Sequence, residues 1–170
     1  QKWRENISMD GGLGELKIWY ENGQIQFEAS YKDGMPDGKF TVWYENGQIQ
    51  HVGYHNNLLP DGNWITWFEN GLQSGEGNFK DGTGQFIQFY ENNQKSIETV
   101  FQDGNGKETH WYENGQLKME GSYIEDKKKG KWTHWYENGQ LKIEGSFIDG
   151  KKEGKWTEWY ENGQIESDLF

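Results

Sequence analysis

A chain of 170 residues with 17 Lys and Arg against 28 Asp and Glu carries a net charge of −11, and Leu, Ile, Val and Phe fill only 31 positions. Those figures alone resemble a disordered chain, but aromatic residues make up 16% and recur at fixed positions, which excludes it. A single alanine, Ala29, argues against a mainly helical protein. The lack of cysteine excludes a disulfide framework, a thiolate nucleophile and a thiolate metal site. No apolar run approaches membrane-spanning length.

Residues 1–13 read as a lead-in, with a degenerate half-repeat expected over Lys2 to Met9. From Gly14 onward one motif organises the chain. It appears as Trp19-Tyr20-Glu21-Asn22-Gly23-Gln24-Ile25 and returns at Trp43, Trp67, Phe89, Trp111, Trp135 and Trp159. Counted from the Asn of each copy, the steps are 24, 24, 22, 22, 24 and 24 residues. A fixed period of this size marks a repeat array, and residues 14–170 read as one continuous domain of seven repeats.

Asn-Gly between two alternating runs predicts a two-residue type I′ hairpin turn, since both residues reach positive φ cheaply. With Asn22-Gly23 as that turn, Ile18 faces Phe27, Leu16 faces Ala29 and Gly14 faces Tyr31 on one side. Lys17 then faces Glu28, and Glu15 faces Ser30, on the other. Nearest the turn, Tyr20 is expected opposite Ile25, and Trp19 opposite Gln26. Around Asn138-Gly139 the same register sets Trp132 against Gly145, where the ring can cover a position without a side chain, and Trp135 against Lys142.

Each hairpin is followed by a predicted longer turn, such as Asp33-Gly34-Met35-Pro36-Asp37-Gly38 or Asp149-Gly150-Lys151-Lys152-Glu153-Gly154. The 22-residue steps are read as two-residue deletions in these loops, at Asp81-Gly82-Thr83-Gly84 and Asp103-Gly104-Asn105-Gly106, with strand lengths kept. The middle copies depart most, with Leu72-Gln73, Asn92-Asn93 and Lys95 out of pattern, so local irregularity is expected there. The predicted fold class is all-β: an elongated, single-sheet antiparallel meander of seven stacked hairpins.

The run from Phe147 to Trp156, followed by Trp159-Tyr160-Glu161-Asn162-Gly163, resembles the MORN repeat. More closely it resembles the bacterial variant found in YwqK-type proteins, a family labelled antitoxins. The resemblance covers about residues 14–170. It implies a meander of hairpins serving as a scaffold or binding surface.

Three rows of residues are candidates for function. Trp19, Trp43, Trp67, Phe89, Trp111, Trp135 and Trp159 share one repeat position, about 9.5 Å apart on a regular sheet, and form the candidate partner-binding surface. The competing use is cross-strand packing on Gln26, Gln50, Lys118 and Lys142. Glu21, Glu45, Glu69, Glu91, Glu113, Glu137 and Glu161 form a candidate acidic edge, either solvated or steering a basic partner. Their spacing is too wide for a carboxylate dyad. His110 and His134, with Glu158 next in the row, are too far apart to share zinc, which needs its ligands within about 4 Å of each other.

No nucleophile with a base and no phosphate-cradling loop is recognisable, so no catalysis, cofactor or metal is expected. The basic cluster Lys127-Lys128-Lys129-Lys131 with Lys151-Lys152-Lys155 is outweighed by acids, which argues against nucleic acid. The net charge of −11 argues against an anionic membrane. The expectation is a non-enzymatic scaffold that binds a protein partner along its sheet, antitoxin-like or immunity-like. Alternatives are a carbohydrate- or cell-wall-binding or adhesive module, and a protein that self-associates through its C-terminal strand or apolar face. A cysteine-free chain fits a bacterial protein of either compartment, cytoplasmic or exported with its leader removed.

Overall fold

The computed structural model describes residues 4–10, 12–102 and 104–169. Among the described residues, fifteen strands lie in one open meander sheet whose order follows the chain, and each described pair is antiparallel. The chain divides into two compact units, Gln1–Phe86 and Ile87–Phe170.

Unit 1 holds β1 (Arg4–Asp10), β2 (Leu13–Trp19), β3 (Ile25–Lys32), β4 (Met35–Trp43), β5 (Ile49–Asn56), β6 (Leu59–Trp67) and β7 (Gln73–Lys80). The division falls within β8 (Thr83–Phe89). Unit 2 continues with β9 (Lys95–Gln102), β10 (Asn105–Trp111), β11 (Leu117–Ile124), β12 (Lys127–Trp135), β13 (Leu141–Ile148), β14 (Lys151–Trp159) and β15 (Ile165–Leu169). In the lead-in, Arg4–Asp10 forms a full strand paired with β2. Lys2 and Trp3 lie outside the described residues.

The body of each hairpin has the register that the alternating pattern predicts. Ile18 opposes Phe27, Leu16 opposes Ala29, and Lys17 opposes Glu28; Trp132 opposes Gly145 and Thr133 opposes Glu144. The turns correct the prediction. At Asn22-Gly23 only Gly23 has positive φ, at 86°. The N–H of Gly23 donates to the Tyr20 carbonyl at 3.0 Å, and the N–H of Tyr20 donates to the Gln24 carbonyl at 2.8 Å. This is a three-residue connection, a type I turn closed by a left-handed glycine. Asn22 does not need positive φ; its Oδ1 accepts the N–H of Gln24 at 2.9 Å, bracing the turn from within.

A register shift follows in the adjoining strand, so Trp19 opposes Ile25 and not Gln26. Trp43 with Ile49, Trp111 with Leu117, and Trp135 with Leu141 repeat the arrangement. The expected Trp135–Lys142 pair is corrected in the same way. The bulge adds one residue that a strict two-residue period cannot register.

The two-residue turns with positive φ at both positions lie at the opposite end of the hairpins. They include Asp33-Gly34 (50° and 78°), Asn57-Leu58 (48° and 73°), Glu125-Asp126 (48° and 60°) and Asp149-Gly150 (49° and 80°). The six-residue loops expected there are therefore tight turns, each followed by a bulged strand. In β4, Ala29 opposes Phe40 while Tyr31 opposes Pro36, and Gly38 within the bulge has φ of 105°. β8 and β10 have 7 residues where β12 and β14 have 9; before β8 the turn is kept at Asp81-Gly82, with φ of 50° and 81°, while Asp103 lies outside the described residues. The β9–β10 register accordingly runs without a shift. The deletions fall in strands, contrary to expectation. The middle copies are also regular at their turns, where Asn93 takes the glycine position with φ of 65° and its N–H still reaches the Tyr90 carbonyl.

Burial comes from large rings laid over glycines. In unit 1, Phe40 and Trp64 flank Gly53, where an added Cβ would lie 2.7 Å and 2.8 Å from their ring carbons. In unit 2, Trp132 is only 1% exposed and Trp156 5%. The Trp132 indole covers Gly121, and that of Trp156 covers Gly145. Trp132 was expected over Gly145, its register partner. The bulge between Glu120 and Ser122 instead brings Gly121 beneath the ring.

Gly145→Ala is expected to lower unfolding free energy by about 1–3 kcal/mol, the usual cost of overpacking, read from urea denaturation. An unchanged midpoint would show that the Trp156 ring can move aside. Leu58→Gly should do the opposite, raising stability by about 1 kcal/mol by relieving a side chain held at positive φ.

Candidate functional site

The repeated motif supplies two things at the three-residue turn end of each hairpin: bonds to the next hairpin, and a row of exposed side chains. The Tyr20 hydroxyl donates to the Trp43 carbonyl at 2.6 Å, and that of Tyr44 to the Trp67 carbonyl at 2.8 Å. In unit 2, Tyr90, Tyr112 and Tyr136 donate to the carbonyls of Trp111, Trp135 and Trp159 at 2.7–2.8 Å. The Asn side chains act alongside them: Nδ2 of Asn22, Asn92, Asn114 and Asn138 donates to the Glu45, Glu113, Glu137 and Glu161 carbonyls. Gln24 abuts Gly47, and Gln116 abuts Gly139, where an added Cβ would lie 2.9 Å and 2.8 Å from the amide oxygen.

The backbone of the motif is thus committed to stacking, while several side chains remain available. Trp19, Trp43, Trp67, Phe89, Trp111, Trp135 and Trp159 are all half-buried. Facing side chains on paired strands share a side of the sheet, so each described Trp of the row shares its side with the residue opposite. That residue is Ile or Leu except at Trp67, which opposes Gln73. Ile49 is 41% exposed and Ile165 60%. The expected pairing of Tyr with Ile and of Trp with Gln or Lys is corrected: Ile and Leu oppose Trp in a mixed apolar stripe. Glu21, Glu45, Glu69, Glu91, Glu113, Glu137 and Glu161 are all exposed.

The lysines expected under the Trp rings lie elsewhere. Lys118 Nζ is 5.4 Å from the Tyr112 ring centroid, and Lys142 Nζ is 5.3 Å from that of Tyr136. Lys128 and Lys152 cover the buried Trp132 and Trp156 at 4.1 Å and 4.3 Å. Among the described residues, Lys95 is the one lysine after the turns that approaches a Trp of the row, with Nζ 5.6 Å from the Trp111 ring. The tyrosine locks were not anticipated. The recurrence of Tyr, replaced by Phe68 in one copy, was the available signal. Burial raises the pKa of Tyr20 and Tyr112, helped by Glu45 at the first and Glu137 at the second.

The histidines are packing groups. In unit 1, His51 and His55 sit with Phe40 and Trp64 at ring-centroid separations of 5.0–5.3 Å, and His51 Nε2 is buried without a hydrogen-bond partner. Burial, and then the neighbouring His55, lowers the pKa of His51. In unit 2, burial lowers that of His134, followed by the charges of Lys128 and Lys142. His110 Nε2 lies 3.5 Å from a Glu108 carboxylate oxygen. Among the described residues no three His, Cys, Asp or Glu side chains gather as a metal site would require.

Stacked hairpins that interlock through one recurring motif, with an apolar stripe and exposed carboxylates beside it, define a repeat scaffold. The model of the MORN repeat variant matches residues 13–33, 36–57, 105–125, 128–149 and 152–170, more than half of the chain, and the protein belongs to that family. The family is a non-catalytic repeat module. The unmatched stretch between residues 57 and 105 contains the copies with Leu72, Asn93 and Lys95. No curated protein matches the chain.

The histidines give stability a pH dependence. A folded-state pKa below the unfolded value of about 6.5 means that the unfolded chain takes up protons first as pH falls. The stabilisation is therefore complete above about pH 6.5 and is lost in acid. Relief of the −11 net charge on acidification acts in the other direction, so a variant is needed to separate the two effects. Between pH 7.5 and 5.5, His51→Phe should lose less of its urea midpoint than the parent protein; equal losses would exonerate His51.

Proposed function

We propose that the protein is a non-enzymatic repeat scaffold that binds a protein partner along the Trp-bearing side of its sheet. The mixed stripe supports this reading. Half-buried Trp rings face Ile and Leu, of which Ile49, Leu117 and Ile165 are exposed, and no second layer among the described strands covers them. Large aromatic side chains held rigidly by their own backbone contribute contact area at small entropic cost, which is why Trp and Tyr dominate binding hot spots. The exposed Glu row beside the stripe would speed the approach of a basic partner. Resemblance to bacterial YwqK-type proteins favours an antitoxin-like or immunity-like binder, for which a small toxin-like protein encoded in a neighbouring reading frame is the candidate partner.

The test is replacement of Trp111 and Trp135 by Ala. Their contributions to stacking come from backbone carbonyls, which Ala retains. Affinity for the product of the neighbouring frame, measured by titration calorimetry, should fall at least tenfold for a loss of about 2 kcal/mol, with the far-ultraviolet β spectrum kept. Loss of the spectrum together with binding would assign those rings to the fold.

A further inference from the structure

The two units hold the same tyrosine position with different neighbours. In unit 2 the residue six places after Tyr112 and Tyr136 is Lys118 and Lys142, and each ammonium rests over its ring. In unit 1 the same step from Tyr20 and Tyr44 reaches Gln26 and Gln50, neutral amides. Both unit 1 hydroxyls are committed to carbonyls of the next hairpin, the Gln26 amide reaches the Tyr20 hydroxyl, and among the described residues no cation rests over either ring. Burial first, then Glu45 and more weakly Glu69, raise the Tyr20 pKa, so carboxylates lie near that tyrosine. The exposed Glu21, Glu45 and Glu69 take part in none of the ion pairs among the described residues. An ammonium or guanidinium over an aromatic face is favoured, and more so when water is excluded.

We infer that Tyr20 and Tyr44 are docking positions for Lys or Arg side chains of a partner segment, filling in unit 1 the place that Lys118 and Lys142 fill in unit 2. This rests on the protein-binding reading above and specifies the partner's chemistry. Spacing further specifies its conformation. Equivalent rings on alternate strands lie about 9.4–9.8 Å apart. A polyproline II segment turns once in three residues and rises about 9.3 Å in doing so. Cationic side chains at every third residue of such a segment therefore project from one side at the spacing of the rings. An extended β segment does not match, because side chains three apart point to opposite faces.

The experiment titrates the whole chain with an acetylated, amidated peptide of four Pro-Pro-Lys units. The comparison peptides are a Pro-Pro-Gln analogue and one with Lys at every fourth residue. The Lys-every-third peptide should bind best. Placing a tethered lysine over each ring with Gln26→Lys and Gln50→Lys should weaken it about tenfold, the effect of two cation–π contacts. Gln85→Lys with Gln88→Lys, which adds the same charge at exposed positions elsewhere, should leave affinity nearly unchanged. In the reverse direction, Lys118→Gln with Lys142→Gln should open a second site and raise the stoichiometry.

Equal weakening by both lysine pairs would reduce the effect to bulk charge and overturn the inference, as would equal binding of the four-residue-spaced peptide. Equal binding of the Pro-Pro-Gln peptide would overturn the cation requirement while leaving the protein-binding surface in place. No binding of the lysine peptide, with the Trp111 and Trp135 variants still weakening the native partner, would overturn this inference alone.

Discussion

The bond from each motif tyrosine to the Trp carbonyl of the next hairpin is the constraint on which the architecture depends. A hairpin in a single-layer sheet has little interior in which to bury its apolar surface, and a lone two-stranded hairpin is marginal in water. Stability must then come from contacts between successive repeats. Tyr20, Tyr44, Tyr112 and Tyr136 each secure the following hairpin at 2.6–2.8 Å. The Asn side chains do the same at the neighbouring carbonyl, and Gln closes on the next turn's glycine. Thus Tyr, Asn and Gly recur because each is one half of a contact whose other half lies in an adjacent copy.

The opposite end of the hairpins meets the same need by a different route. There the two-residue turns bond back to the preceding hairpin, as when Leu58 N–H donates to Pro36 and Gly150 N–H to Lys128. Between the two ends, rings pack on glycines, and the bulges at Gly38 and Gly130 curve the strand so that a ring meets the right glycine. At β10, which is two residues shorter, the register with β9 runs without a bulge.

Stacking and the proposed binding would draw on different parts of the same residues. Trp contributes its carbonyl to the lock and leaves its indole half-buried; Glu contributes its carbonyl to Asn and leaves its carboxylate in solvent. Substitution of side chains that the lock does not use can therefore change what the surface attracts without loosening the stack. Gln26 and Lys118 occupy the same position, six residues after the motif tyrosine, where Gln26 reaches the Tyr20 hydroxyl and Lys118 lies over the Tyr112 ring.

The sequence by itself determined that the chain is a series of hairpins and which residues face each other along most of each strand. A two-residue alternation allows only one register that separates Ile18 and Phe27 from Lys17 and Glu28. The recurrence of Trp and Glu likewise placed both rows on the candidate surface. Only the tertiary structure decided the turn types, the pairing of Trp with Ile and not Gln, and the glycine that each ring covers. Those outcomes depend on bulges, which insert a residue without leaving a mark in the alternation, and on carbonyls of the adjacent hairpin, which no single repeat contains.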